Sequence, residues 1–161
     1  MVTDETAHAR AVAESVLDPE LPPLTIADLG ILRDVRIEGG TVEVAITPTW
    51  SGCPAMREIS DSLETALRDA GFAHCRVRLV LSPAWTTDWL TEAAHLKLRE
   101  LGIAPPPPGL GLEALFAHND PPCPRCASTE TERISAFGST ACKALHRCLI
   151  CREPFEAFKC H

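Results

Sequence analysis

Residues 31–46, ILRDVRIEGGTVEVAI, decide the fold. Val35 and Ile37 alternate with charged residues, and past Gly39-Gly40 the same alternation resumes with Val42, Val44 and Ile46. A period of two marks half-buried strands, and a Gly pair suits the positive φ angles of a tight hairpin turn. Downstream the period changes. Ile59, Leu63, Ala66, Leu67 and Ala70 follow helical spacing, with Pro54 suited to the first helical position and Gly71 to the left-handed residue after the last turn. Cys75, Val77, Leu79 and Leu81 then alternate as a third strand. Upstream, Thr3 is positioned to cap a helix with Asp4 and Glu5 in its first turn and the stripe Ala9, Val12, Ala13, Val16 and Leu17, stopped by Asp18-Pro19. A last helix is expected to open at Thr87, with the stripe Leu90, Ala94, Leu98 and Leu101. Helices on one face of a sheet give a two-layer αββαβα domain over residues 1–104, a usual size for one core.

Residues 105–120 read as a linker, because Pro105 to Pro108, Gly109 and Gly111 crowd together, with Pro121 and Pro122 beyond. Within it Leu112, Leu115 and Phe116 suffice for one turn that docks on a neighbour. The remainder, 121–161, contains Cys123-Pro-Arg-Cys126 and Cys148-Leu-Ile-Cys151, two Cys-x2-Cys pairs separated by 21 residues. Each pair closes a turn that directs two sulfurs at one point, and four thiolates complete the closed shell of a structural zinc site. An all-cysteine shell also suits iron. A module this small buries too little apolar surface to fold alone, so metal binding is expected to supply its folding energy. The reading is a small β zinc-ribbon module after the α/β domain.

Composition narrows the function. Eight cysteines in 161 residues would suit a secreted disulfide scaffold, but Met1 to Leu17 lacks the apolar stretch of a signal peptide. The thiols are therefore expected to be reduced and the protein cytoplasmic. No run approaches the roughly 20 apolar residues of a membrane helix. The net charge of -7 is uneven, with 17 acids and 9 bases over residues 1–119 but 5 acids and 6 bases over 120–161. An acidic body opposes a polyanion, and the near-neutral module with Arg125, Lys143, Arg147, Arg152 and Lys159 beside Phe137, Phe155 and Phe158 lacks the concentrated basic footprint of a nucleic-acid binder.

Three further cysteines are candidate ligands. Cys53, in Trp50-Ser51-Gly52-Cys53-Pro54, sits where the second strand hands over to the second helix. A helix N-terminus is expected to lower a thiol pKa and favour binding of soft metals; the plainer alternative is a packed structural cysteine. Cys142 and Cys160 are either buried small hydrophobes or additional, exchangeable ligands of the ribbon, with His146 and His161 near them in sequence. Cys75 reads as core, and Trp85 and Trp89 as core or interface anchors. Asp18, Glu20 and Asp28 read as turn-capping acids rather than catalysts. A cysteine-protease reading finds His74 and His95 but nothing to place them near Cys53. Glu5-x-x-His8 and Glu92-x-x-His95 have the spacing of di-iron carboxylate motifs, but the four-helix bundle those need is missing from the pattern. Gly109-Leu-Gly111 follows no strand and lacks the third Gly of a dinucleotide fingerprint.

Asp18-Pro-Glu-Leu-Pro22, Asp28-Leu-Gly-Ile31, Thr47-Pro48 and Ser51-Gly-Cys-Pro54 together resemble the iron-sulfur cluster assembly superfamily, over roughly residues 10–104. In that family the Cys of Gly-Cys-Pro, here Cys53, is the residue proposed to act on iron or a cluster. Phe137-Gly-Ser-Thr-Ala-Cys-Lys-Ala-Leu145, Cys148-x2-Cys151-Arg-Glu-Pro-Phe155 and Phe158-Lys-Cys160 resemble the PaaD family of phenylacetyl-CoA epoxidase components, extending the likeness over nearly the whole chain. The resemblance implies aerobic phenylacetate catabolism, in which a di-iron oxygenase makes the ring 1,2-epoxide and a separate reductase carries an iron-sulfur cluster. Members of the PaaD family are regarded as maturation or accessory factors rather than enzymes. The implied partners are the oxygenase subunits and the iron-sulfur reductase; the implied cofactors are zinc or iron at the four-cysteine site and a transient iron-sulfur cluster. The rival expectation is a zinc-dependent interaction module that docks the components of the complex without handling iron.

Overall fold

The computed structural model describes residues 4–106 and 120–159. The expected cap Thr3, the turn at Leu112 to Phe116, and His118, Cys160 and His161 lie outside the described residues. The chain divides into two compact units, residues 1–85 and 86–161.

In the first unit the elements are α1 (Asp4–Glu14), β1 (Leu32–Glu38), β2 (Thr41–Ile46), α2 (Ala55–Asp69) and β3 (Cys75–Leu79). The hairpin is as the alternation foretold: β1 and β2 pair antiparallel with Val35 opposite Val44 and Ile37 opposite Val42, and Gly39 and Gly40 turn the chain at φ 55 and 77. β3 runs parallel to β2, so α2 is the crossover between them. The sheet order is β1-β2-β3. Helix α2 lays Ile59, Leu63 and Leu67 on the sheet with no exposure, Pro54 stands at its N-terminus, and Gly71 leaves it at φ 98. Leu24, Ile26, Leu29, Ile31, Val42, Val44 and Ile46 complete a dry core. Trp85 closes it, its indole N–H donating to the Leu29 carbonyl at 2.8 Å. Leu17, Leu79 and Leu81, assigned inward by periodicity, are 51%, 53% and 65% exposed. Leu17 lies past the end of α1 in an isolated bridge with Thr25, and Leu79 and Leu81 lie at and beyond the end of an edge strand.

The second unit contains a short 3-10 turn (Thr87–Trp89), α3 (Glu92–Glu100), β4 (Ile103–Ala104), β5 (Thr131–Ser135), β6 (Lys143–Cys148) and β7 (Pro154–Phe158). Its sheet order is β4-β7-β6-β5. The last helix starts later than expected. Thr86 caps the 3-10 turn, and Thr91 caps α3 by accepting the Ala94 N–H at 3.1 Å, which leaves Leu90 buried ahead of the helix and Leu101 44% exposed beyond it. The boundary also differs from the one drawn at residue 104. Ile103 and Ala104 pair in parallel with Glu156 and Ala157 of β7, so α3 and β4 go with the ribbon. The first unit is accordingly αββαβ, and the four-stranded ribbon sheet gains its fourth strand from chain upstream of the proline-rich stretch.

Candidate metal centre and the Cys53 loop

In the second unit the two Cys-x2-Cys turns converge. The sulfurs of Cys123, Cys126, Cys148 and Cys151 all lie within 4.8 Å of one another, with Cys123 to Cys151 at 3.7 Å and Cys126 to Cys148 at 3.5 Å. Four sulfurs bound tetrahedrally at about 2.3 Å would stand about 3.8 Å apart, so the group fits a zinc-sized ion with little rearrangement. None of the seven described cysteines is in a disulfide. Both knuckles are built by backbone bonds: Ala127 N–H to Cys123 O at 2.9 Å and Cys148 N–H to Glu153 O at 3.1 Å, with Ala127 and Arg152 turned to φ 61 and 63. The Arg125 N–H points at the Cys123 sulfur at 3.4 Å.

Electrostatics favour thiolate at Cys148 and oppose it at Cys151. Burial opposes ionisation of Cys148, but N–H groups of Cys151 and Ile150 and the Cys126 thiol bring it down to about 6. The Glu153 N–H favours Cys151 thiolate, yet burial and the neighbouring sulfurs hold that group up at about 12. A cation entering this group must displace the remaining protons, so its affinity rises with pH. Around the ligands lie Ala104, Phe155 and Ala157, and buried His146 stacks on Phe155 with ring centroids 5.6 Å apart. Burial lowers the His146 pKa against the pull of Asp120.

Cys142 is not brought to this centre. It precedes β6 at the end opposite Cys148, about 20 Å away along a strand rising about 3.3 Å per residue. It is buried, with its sulfur 3.0 Å from Thr140 Oγ1. At that end the buried Lys143 ammonium meets Glu156 at 3.1 Å, and Glu156 also takes the Ser139 N–H.

In the first unit Cys53 lies in the loop leaving the C-terminal end of β2, the edge where open α/β sheets present their sites. Its N–H donates to the Trp50 carbonyl at 3.2 Å. Gly52 lets the Trp50 indole lie close beside it, since a Cβ there would stand 2.4 Å from the ring and force it to move. The expected acidity is reversed: the Cys53 thiol is pushed up. Burial is the largest cause, and Glu20 and Asp18 add to it, outweighing hydrogen bonds from the Ala55 N–H and the Thr49 hydroxyl. Pro54 takes the cap position, so Cys53 stands one residue before the cap. Asp18 does act as a turn cap, its Oδ1 accepting the N–H groups of Glu20 at 2.8 Å and Leu21 at 2.9 Å. It is also buried, and its own pKa is raised by that burial and by Glu20 and Glu58.

Sequence reasoning assigned those acids to capping alone. The motifs around Asp18, Thr47 and Cys53 were the available signal, since the structure folds Asp18, Glu20 and Thr49 into the surroundings of one thiol. Thr47 is buried with its hydroxyl unpartnered among the described residues. His74 does not serve Cys53: its carbonyl accepts from Val42 at the opposite end of β2. Cys75 is half-buried, its thiol directed at Glu64 O. Among the described residues the four cysteines are the one grouping of three or more metal-ligating side chains.

Comparison with known proteins follows this division. The family model described as "Iron-sulfur cluster assembly protein" matches residues 7–78, and that described as "PaaD zinc beta ribbon domain" matches residues 111–159. A protein of Escherichia coli (strain K12) named as the D subunit of 1,2-phenylacetyl-CoA epoxidase is 49% identical over 93% of this chain and 90% of its own length. The Fe-S protein maturation auxiliary factor YitW of Bacillus subtilis (strain 168) is 36% identical over 53% of this chain and 84% of its own. A solved structure of a DUF59 domain of unknown function from Bacillus anthracis superposes with a TM-score of 0.53 at 26% identity, covering 58% of this chain and 90% of that one. The chain belongs to the PaaD family of 1,2-phenylacetyl-CoA epoxidase components, an iron-sulfur-cluster-assembly domain joined to a four-cysteine zinc ribbon.

Proposed function

We propose that this chain is a non-catalytic accessory component of the ring-epoxidising phenylacetyl-CoA epoxidase, assisting iron or iron-sulfur cluster assembly in its oxygenase subunits or its iron-sulfur reductase. The ribbon metal is zinc and structural; iron or a cluster is cargo, met by Cys53. The observation that carries this reading is the surroundings of Cys53, in the unit related to Fe-S maturation factors. Asp18 and Glu20 disfavour a bare thiolate, and the same negative field favours a cation beside the sulfur. The carboxylates act here through their field, and the Cys53 sulfur is the soft donor that suits iron held in passing. Binding there releases the thiol proton, which couples loading to pH.

The test is Cys53→Ser in cells that make the whole epoxidase. Iron per oxygenase and cluster per reductase are expected to fall, with the variant still folded and still copurifying. Unchanged loading of both clients would sink the reading. A second reading, docking without iron handling, draws on the ribbon itself: Leu149 and Ile150 at the tip of the second knuckle are 47% and 59% exposed. Epoxidase activity that tolerates Cys53→Ser but is lost with Leu149→Ser/Ile150→Ser would favour it.

A further inference from the structure

We infer that the outer edge of β3 is a docking site for an extended segment of a partner protein in which acidic and apolar residues alternate. The sheet of the first unit ends at β3, and no described strand pairs with its far side. The direction of its backbone groups follows from two hydrogen bonds. The His74 carbonyl accepts from Val42 and the Val80 N–H donates to Ile46, so residues 74, 76, 78 and 80 face β2. By the period of two, Cys75, Val77 and Leu79 present their N–H and C=O groups to the open edge. An open edge of this kind adds a strand readily unless something blunts it.

Arginine on an edge strand is a common blunting device, but here the arginines lean away from the edge. Arg76 donates to Glu43 on β2, and Arg78 reaches the same carboxylate through Nε at 3.2 Å, with Arg36 of β1 at 2.5 Å on the far side. Glu38 offsets Arg36 at 3.4 Å on the β1 side, so Glu43 faces Arg76 and Arg78 as two guanidiniums to one carboxylate; the β3 row is cationic, and Arg76 and Arg78 remain 69% and 50% exposed with further N–H groups unspent. On the opposite face the strand carries half-buried Val77 and then Leu79 and Leu81, which are 53% and 65% exposed. A strand laid along β3 would therefore meet arginines on one face and aliphatic side chains on the other. Carboxylates facing Arg76 and Arg78 and apolar residues facing Val77 and Leu79 satisfy both rows. A second copy of β3 does not, because it would set its own two arginines against these two.

The experiment uses the full, metal-loaded protein labelled with 15N and a blocked octapeptide of alternating Glu and Val. Two control peptides are a Glu-Glu-Val-Val repeat of the same composition and an alternating Lys-Val octapeptide. The expected result is that only the alternating acidic peptide shifts β3 resonances and slows amide exchange at Cys75, Val77 and Leu79. Arg76→Gln/Arg78→Gln should weaken it by about tenfold or more. Val77→Pro removes an outward N–H that the ladder to β2 does not use, and should abolish binding with the metal retained. If that variant does not fold, the arginine variant alone decides. No response at about 1 mM peptide, equal response to either control, protection elsewhere on the chain, or a dimer formed through β3 would each overturn the inference.

Discussion

The two units close small cores by different means. The first fills its interior with whole aliphatic side chains, Leu24, Ile26, Leu29, Ile31, Ile46, Ile59, Leu63 and Leu67 all being essentially inaccessible to solvent. Around the four sulfurs of the second, the cluster comprises Ala104, Cys123, Cys148, Phe155 and Ala157, with a single large side chain among them. Burial of aliphatic groups stabilises the first without help, whereas the second has placed thiols where a core would be and needs a cation to hold them together. The difference teaches where function can sit. A closed four-sulfur shell has no open position for chemistry, while a self-supporting unit can hold a thiol on one loop in the field of carboxylates from another.

Three changes test that contrast. The largest effect is expected from Cys148→Ser, which removes a fully buried ligand. Metal-coupled folding of comparable modules is worth roughly 10–16 kcal/mol, so the ribbon should lose its dispersed amide resonances and its metal while the first unit keeps its own. Leu63→Ala should do the reverse on a smaller scale. It should cost the first unit about 2–5 kcal/mol in a denaturant titration and leave metal content unchanged. If both variants instead melted the whole chain together, the division into separately supported units would be broken.

The smallest effect is a pH dependence confined to the first unit. Hydrogen bonds from Arg76 and Arg36 hold the Glu43 carboxyl at about 2 against an ordinary value of 4.5. A depressed folded pKa means that the stabilisation is fully present above the unfolded value and is lost as pH falls from 4.5 toward 2. Glu43→Gln should flatten that part of the stability profile, read by thermal unfolding of the first unit between those limits.

Much of this was legible because the signals are local. The Gly39-Gly40 turn, the α2 stripe with Pro54 and Gly71 at its ends, and the paired Cys-x2-Cys turns each depend on neighbours within a few residues. The misplacements share the opposite property. Two threonines, Thr86 and Thr91, compete to start structure near residue 90, and sequence pattern alone picked the wrong opening. The pairing of Ile103 with Glu156 spans more than fifty residues, so nothing near Ile103 announces it. Cys53 is the clearest case. Its position before α2 argues for acidity, but burial and carboxylates some thirty residues upstream reverse the sign, and only the tertiary fold brings them there.

The central claim is a division of labour, with a structural metal in the ribbon and iron handled at Cys53. It is tested most directly by purifying the wild type and Cys53→Ser anaerobically and measuring zinc, iron and acid-labile sulfide per chain. The account predicts about one zinc per chain in both proteins, with any iron and sulfide found only in the wild type. Iron and sulfide in place of zinc, retained undiminished in Cys53→Ser, would contradict it and move the iron chemistry to the four-cysteine group.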